Sequence, residues 1–143
     1  MKKLLFLIFV LLHGGLTVSA DNLKKPELIL FSGMTTGAGS LDGPVDIASF
    51  GSPEGIAVDS HGNIFISDTG QRERDGNHTI RKITPQGVVS TLAGKSNVHG
   101  SKNGKGAAAS FNEPRGIVID TSGNLFVADT DNHMIVKSPQ TER

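Results

Sequence analysis

The chain has 143 residues and a balanced charge, with 14 Lys and Arg side chains against 14 Asp and Glu side chains. A near-neutral chain lacks the basic surface that nucleic acids require, so we expect no nucleic-acid partner. The sequence holds no Cys, which excludes disulfide bonds and thiolate metal sites.

The first twenty residues have the pattern of a secretory signal peptide. A basic start at Lys2 and Lys3 precedes the apolar run Leu4–Leu12, and Val18-Ser19-Ala20 supplies the small residues of a cleavage site. This apolar run is too short to span a bilayer, which argues against a membrane anchor. We expect cleavage after Ala20, secretion or periplasmic export, and no stable membrane insertion afterwards.

After an N-terminal lead at 21–27, the chain has the pattern of strands and turns without helical periodicity. Short apolar segments rich in β-branched residues alternate with turns such as Ser60-His61-Gly62. The predicted strands are Leu28–Ser32, Gly55–Asp59, Asn63–Asp68, Thr79–Thr84, Val88–Ala93, Gly116–Asp120, Asn124–Asp129 and His133–Lys137. The predicted fold class is therefore all-β.

An internal repeat with an offset of 61 residues organises these strands. Residues 48–69 align without a gap with residues 109–130, and 12 of the 22 aligned positions are identical. Strands such as Ile64-Phe65-Ile66 are apolar on both faces, as in sheets that are covered on both sides. A β-sandwich also has short, regularly spaced strands. The long gapless repeat favours a propeller instead, because there one structural unit is used several times.

The repeat resembles the NHL repeat, a β-propeller blade with the pattern Pro-x-Gly-Ile-Ala-Val-Asp, Gly-Asn-Leu-Tyr-Val-Ala-Asp-Thr and Asn-His-x-Ile-Arg-Lys-Ile. The matching segments are Pro53–Asp59, Gly62–Thr69 and Asn77–Ile83, then Pro114–Asp120, Gly123–Thr130 and Asn132–Lys137. The second copy has Val136 where the family favours Arg. The linkers are similar to those of secreted bacterial members.

The resemblance covers residues 28–138, with a first repeat at 48–94, a second at 109–138 and a tail at 139–143. It implies a partial β-propeller of two four-stranded antiparallel NHL blades. In propeller lettering, where strand a is innermost and strand d outermost, the predicted order is d, then a-b-c-d, then a-b-c.

Two blades do not close a ring. They are expected to leave apolar faces on the end blades, carrying Ile64, Phe65, Leu125 and Phe126. If the chain is complete, Leu28–Ser32 of one copy is expected to complete the last blade of the next. Three copies would then form a homotrimeric ring of six blades. The alternative interpretation is that the chain is truncated from a longer propeller.

Two carboxylates and one histidine recur at equivalent positions of the two copies: Asp59/Asp120, Asp68/Asp129 and His78/His133. Such residue types can serve acid–base or metal chemistry. Their recurrence favours a repeating structural role instead, with carboxylates that accept backbone N–H groups and a histidine that bonds within its own blade. The sequence shows no nucleophile elbow, zinc-protease or phosphate-loop motif. We expect no catalytic residue, no metal site and no cofactor.

The segment Gln71–Gly76 interrupts the repeat, because the offset falls to 55 from Asn77 onward. In a propeller it lies on the same face as the Lys95–Glu113 loop, and insertions often mark a binding face. We expect a partner to contact the loop residues Arg72, Glu73, Arg74 and Asp75. Deletion of residues 71–76 is expected to leave the fold intact. A solvated charged loop without a partner is the alternative.

These features favour a secreted or periplasmic protein that acts as a non-catalytic binding or interaction scaffold for a protein or carbohydrate ligand. One alternative is a fragment of a propeller-type hydrolase or lyase. Another is a truncated gene remnant without independent function. Because a fold does not dictate a function, the identity of the ligand stays open at this point.

Overall fold

The computed structural model describes residues 29–33, 38–70 and 76–138. Within these residues the chain forms eight β-strands and two short 3₁₀ turns, with no α-helix. The strands are β1 (Gly43–Pro44), β2 (Pro53–Val58), β3 (Ile64–Asp68), β4 (Thr79–Ile83), β5 (Val88–Ala93), β6 (Pro114–Ile119), β7 (Leu125–Asp129) and β8 (Met134–Ser138). The predicted signal peptide, the lead at 21–27, insertion residues 71–75 and the tail at 139–143 lie outside the described residues.

The strands form two antiparallel sheets. The first has the order β1-β5-β4-β3-β2 and the second the order β6-β7-β8. Strands β2 to β5 are therefore strands a to d of one blade, and β6 to β8 are strands a to c of the next. The prediction of an all-β partial propeller with two antiparallel blades is confirmed, with a second blade that has three strands in the described part of the chain.

The first hairpin of each blade is determined by local chemistry. Gly62 lies between β2 and β3 with φ at +79°, and Gly123 lies between β6 and β7 with φ at +84°. Glycine adopts this left-handed region without a steric penalty from Cβ. The two copies thus fold into the same tight turn because they share the same turn residues.

The predicted outer strand at Leu28–Ser32 is wrong over its described part, since residues 29–33 form no strand. By the repeat offset, these residues correspond to the end of β5. Strand β5 has β4 beside it as a ladder partner, whereas residues 29–33 have no ladder partner among the described residues, and an extended segment needs such a partner. The outer edge of β5 instead pairs with β1, through Gly43 with Val89 and Pro44 with Val88.

The main core lies between the two blades. It contains Phe65 and Ile80 of the first blade and Ala109, Phe111, Ile117, Leu125 and Val127 of the second blade and its preceding loop. Each large side chain buried here contributes about 1.5–3 kcal/mol. The expectation that Phe65 and Leu125 lie on exposed faces is wrong, because each is only 1% exposed. Both point into the contact between blades.

A second core lies on the other side of the first blade. It contains Ala48, Ile66, Ile83 and Val89, with Val45, Phe50 and Ile64 packed against it. Residues 38–50, which we call the leading loop, supply three of these side chains by folding back over the sheet. The first blade therefore packs against its own preceding loop on one side and against the second blade on the other.

Candidate functional site

Asp59 and Asp120 act in the hairpin turns. Oδ1 of Asp59 accepts the backbone N–H groups of His61 and Asn63 at 2.9 and 2.8 Å, and Oδ2 accepts the Asn63 side chain at 2.7 Å. Asp120 accepts the equivalent groups of Ser122 and Asn124 at 2.9, 2.8 and 2.7 Å. These bonds occupy both oxygens of each carboxylate.

The pKa of each of these carboxyls lies below its ordinary value of 3.8. For Asp59, burial raises the pKa, and the bonds from Asn63 and His61 lower it by more. For Asp120, the side-chain bond from Asn124 is the largest cause. Both groups are therefore anions that stabilise a turn, which makes them poor proton donors near neutral pH.

Asp68 and Asp129 hold the start of each blade. Oδ1 of Asp68 accepts the backbone N–H groups of Gly51 and Ser52, both at 2.9 Å. Oδ1 of Asp129 accepts the N–H of Asn112 at 2.7 Å. Both carboxylates are fully buried, so their charges depend on these donors for compensation.

Arg81 is a buried cation that sequence reasoning did not single out. Its guanidinium donates to Ser49 O at 2.9 Å, Asp68 Oδ2 at 3.2 Å, Leu41 O at 3.0 Å and Asp42 Oδ1 at 2.7 Å. Its Cζ lies 4.9 Å from the ring centroid of Phe50. The side chain therefore binds the leading loop to the first blade. The repeat contained a signal for this ion pair, because the second copy lacks both partners: Val136 stands at the position of Arg81, and Asn103 at the position of Asp42.

The two repeat histidines lie in different surroundings. His78 is buried, and its Nδ1 accepts the backbone N–H of Glu113 at 3.2 Å. The expectation that it bonds within its own blade is wrong, because Glu113 precedes the first strand of the second blade. His133 occupies the equivalent position on the open side of the second blade and is exposed. A blade histidine thus needs a following blade to become buried.

Burial lowers the pKa of His78 below its ordinary value of 6.5, and the neighbouring His99 lowers it further. The carboxylates of Glu113, Asp129 and Asp131 act in the opposite direction without cancelling this effect. The imidazole is therefore neutral at pH 7. This protonation state leaves Nδ1 free to accept the hydrogen bond from Glu113.

A cleft of about 230 Å³ opens beside the ends of the insertion. Its lining residues are small and uncharged: Ala38, Gly39, Ser40, Gly51, Gly70, Asn77, Ser96 and Asn97. Asn77 orders this wall, since its amide donates to Gly39 O and Asp68 Oδ2 and its Oδ1 accepts the Ser96 hydroxyl. Sequence reasoning named the loop after β5 as part of this face but did not identify Ser96 or Asn97.

The predicted contact residues Arg72, Glu73, Arg74 and Asp75 lie outside the described residues. The two ends of their loop are described and lie together, because a Cβ on Gly70 would overlap the backbone of Gly76 and Asn77. Gly76 O also accepts the N–H of Asn97 at 2.9 Å. The loop therefore leaves and re-enters the blade at one point on the rim of the cleft.

Among residues 29–33, 38–70 and 76–138, no group of three or more His, Asp or Glu side chains is arranged to hold a metal ion. In those ranges no helix has the length and hydrophobicity needed to cross a bilayer.

Comparison with known proteins identifies the repeat. The family model of the NHL repeat matches residues 111–137. The chain is 39% identical over 84 residues to Protein SUPPRESSOR OF QUENCHING 1, chloroplastic, from Arabidopsis thaliana, which covers 58% of this chain and 7% of that protein. It is 30% identical over 101 residues to NHL repeat-containing protein 2 from Bos taurus, covering 64% of this chain and 14% of that protein. The chain thus spans a small part of these relatives.

Solved structures from Bacteroides thetaiotaomicron share the fold. A structural genomics protein of unknown function is 32% identical with a TM-score of 0.68, covering 75% of this chain and 26% of that one. An auxiliary nutrient binding protein is 26% identical with a TM-score of 0.62, covering 75% of this chain and 27% of that one. In both cases this chain corresponds to about a quarter of the solved molecule.

Proposed function

We propose that the chain, which matches the NHL repeat at residues 111–137 and forms two β-propeller blades, is a secreted or periplasmic binding scaffold without catalytic activity. The observation that carries the proposal is the composition of the cleft. Its eight lining residues are Ala, Gly, Ser and Asn, so the described wall supplies hydrogen-bond groups but no acid, base or nucleophile pair.

The chemistry of this wall favours a neutral, hydroxyl-rich ligand. Backbone amides, two Ser hydroxyls and the Asn97 side chain can exchange hydrogen bonds with sugar hydroxyls, whereas the wall presents no ionisable side chain to a charged ligand. The name of the Bacteroides thetaiotaomicron auxiliary nutrient binding protein supports a binding role for this kind of fold. We therefore propose a carbohydrate segment as the ligand and a protein loop as the second candidate.

The proposed location rests on the N-terminal sequence. The basic start, the apolar run Leu4–Leu12 and the small residues before Asp21 support export and cleavage after Ala20. Mass spectrometry of the purified product tests this point. A cytoplasmic product that retains Met1 would contradict it.

The cleft is tested with a matched pair of substitutions. Ser40→Phe places a ring in the cleft, whereas Ser101→Phe makes the same change at the equivalent position of the second copy, outside the cleft. A panel of neutral oligosaccharides is titrated into the wild type and both variants by calorimetry. We expect binding that Ser40→Phe weakens at least tenfold and Ser101→Phe leaves unchanged. Equal binding by both variants would exclude the cleft, and release of new reducing ends would indicate a glycoside hydrolase.

The insertion is tested by deleting residues 71–75, which retains Gly76 and its bond from Asn97. The adjacent ends of the loop make this closure feasible, because Gly70 and Gly76 would remain between Thr69 and Asn77, whereas the second copy joins Thr130 to Asn132 through a single residue. Shortening a surface loop changes the free energy of unfolding by less than about 1 kcal/mol. We propose that the ligand contacts Arg72 and Arg74. Weaker binding with an unchanged circular dichroism spectrum supports this role, and unchanged binding contradicts it.

A further inference from the structure

The contact between the two blades combines apolar packing with three directional bonds. Ile117 of the second blade packs against the cluster that contains Phe65 and Ile80 of the first. The hydroxyls of Ser67 and Thr69 donate to the carbonyls of Arg115 and Pro114, and the N–H of Glu113 donates to His78. The two sides of the contact differ. The second blade contributes its first strand, β6, and the first blade contributes the surface formed by β3, β4 and His78.

Both sides of this contact occur a second time in the described residues, and there they are exposed. Ile117 is 6% exposed, whereas its repeat counterpart Ile56 is 67% exposed on β2. Ile80 is 2% exposed, whereas its counterpart Ile135 on β8 is 70% exposed. We call the surface of β2 around Ile56 and Val58 the leading face. The surface around Gly116, Val118, Phe126, His133 and Ile135 is the trailing face.

Gly116 provides independent evidence that the trailing face receives another blade. In the first blade, a Cβ at the equivalent Gly55 would clash with the carbonyl oxygen of Arg115, because the second blade approaches there. At Gly116 a Cβ would meet only Ala128 Cβ at 3.5 Å, which is ordinary contact. Nothing within the described chain requires glycine at this position. The close approach of a further strand would require it.

We propose that the trailing face of one copy of this chain docks onto the leading face of another, in the geometry that the second blade already uses against the first. The leading face fits this role because its Pro53 and Ile56 repeat the interface residues Pro114 and Ile117. Thr130 retains the hydroxyl that Thr69 uses to bond a Pro carbonyl. Ala128 replaces Ser67, so one of the three directional bonds has no counterpart.

The same docking supplies the missing outer strand. The described residues Ile29, Leu30 and Phe31 are exposed, apolar and aligned by the repeat with β5. The adjacent Ser32 donates to Val45 O of the leading loop, on the side of the first blade that would meet the trailing blade, and strand β8 of that blade has an unpaired edge within the described residues. Adding this segment to β8 extends the three-stranded sheet to four strands. Repetition of one heterologous contact closes a ring when the rotation permits, and three copies give six blades.

The experiment uses protein purified from cells that express the full chain, with its mass measured by light scattering over a range of concentrations. We expect the mass of three copies for the wild type and of one copy for Gly116→Val, which obstructs docking without a clash inside the chain. Val98→Asp changes an exposed apolar residue off both faces and serves as the control that stays assembled. A wild-type monomer, or an assembly that Gly116→Val leaves intact, would overturn the proposal.

A complementation test distinguishes head-to-tail docking from a symmetric dimer. Ile56→Asp blocks the leading face and Ile135→Asp blocks the trailing face, and both positions are exposed in the single chain. Each variant alone is expected to be monomeric, and their equimolar mixture is expected to form a one-to-one dimer through the two intact faces. A mixture that remains monomeric, while circular dichroism shows both variants folded, would contradict the proposed contact.

Discussion

At the scale of single residues, Arg81 shows how a buried charge can join a loop to a sheet. The guanidinium and the Asp68 carboxylate are both fully removed from water, and each has several hydrogen-bond partners. A buried ion pair is not a strong source of stability by itself, but breaking it leaves an uncompensated charge. The position of the leading loop therefore depends on one side chain of β4.

We expect Arg81→Met to lower the free energy of unfolding by about 3 kcal/mol, because Asp68 would keep its backbone donors but lose its cation. Asp42→Asn removes a partner that is 47% exposed and is expected to cost less than about 1 kcal/mol. Urea denaturation followed by far-UV circular dichroism measures both, since the chain has no Trp or Tyr to report by fluorescence. Equal effects of the two variants would contradict the assigned role of the buried pair.

His78 makes stability depend on pH in a defined direction. Its folded-state pKa lies below 6.5, so the unfolded chain binds the proton more readily. This contribution to the free energy of unfolding is fully present above about pH 6.5 and is lost as pH falls from there towards the folded-state pKa.

We expect His78→Asn to reduce the fall in Tm between about pH 7.5 and pH 5.5 relative to the wild type. Asn tolerates the left-handed backbone of this position, where φ is +46°. His133→Asn is the matched control, because His133 is exposed, and its pH profile should follow that of the wild type. A His78→Asn profile parallel to the wild-type profile would refute the assignment.

At the scale of elements, the packing of β2 and β3 on β6 depends on the absence of a side chain. The approach at Gly55 brings the Arg115 carbonyl close enough for the Ser67 hydroxyl to bond both the Gly55 N–H and that carbonyl. Any Cβ at this position would separate the blades. The repeat places an identical glycine at 116, where the described chain provides no such neighbour.

The pair Gly55→Ala and Gly116→Ala isolates this effect. Gly55→Ala is expected to destabilise the fold by about 1–3 kcal/mol, as overpacking of a tight contact does. Gly116→Ala adds only an ordinary contact with Ala128 Cβ, at 3.5 Å, and should leave the stability of a single chain almost unchanged. Chemical denaturation at a protein concentration low enough to prevent association compares them directly. A larger loss for Gly116→Ala would show that the blades pack differently.

At the scale of the whole molecule, features with local causes were predictable and those that depend on distant contacts were not. The hairpin at Gly62 and the bounds of β5 follow from turn chemistry and from a β-branched segment. The burial of Phe65 and the partner of His78 depend on where the second blade packs, 35 or more residues away in sequence. The strand expected at Leu28–Ser32 failed because a strand requires a neighbour that local sequence does not supply.

The cleft illustrates the same limit. The insertion was visible as a break in the repeat, whereas its wall combines segments around Gly39, Gly51, Asn77 and Asn97 that meet only in the folded chain. Small uncharged residues carry little signal in one sequence, because their role arises from backbone geometry. The site was therefore predictable as a face of the molecule and not as a set of residues.

The bond network of Arg81 also has a consequence for synthesis on the ribosome. The leading loop is synthesised before the first blade. It gains its bonds to Arg81, through Ser49 O and Leu41 O, only after β4 has been synthesised, some 30–40 residues later. Residues 38–94 then contain all the side chains of the core between the leading loop and the first blade. The core of the second blade, in contrast, includes side chains of the first blade and cannot form before it. Folding is thus expected to proceed vectorially from the N-terminal blade, with the emerging second blade using the finished one as its template.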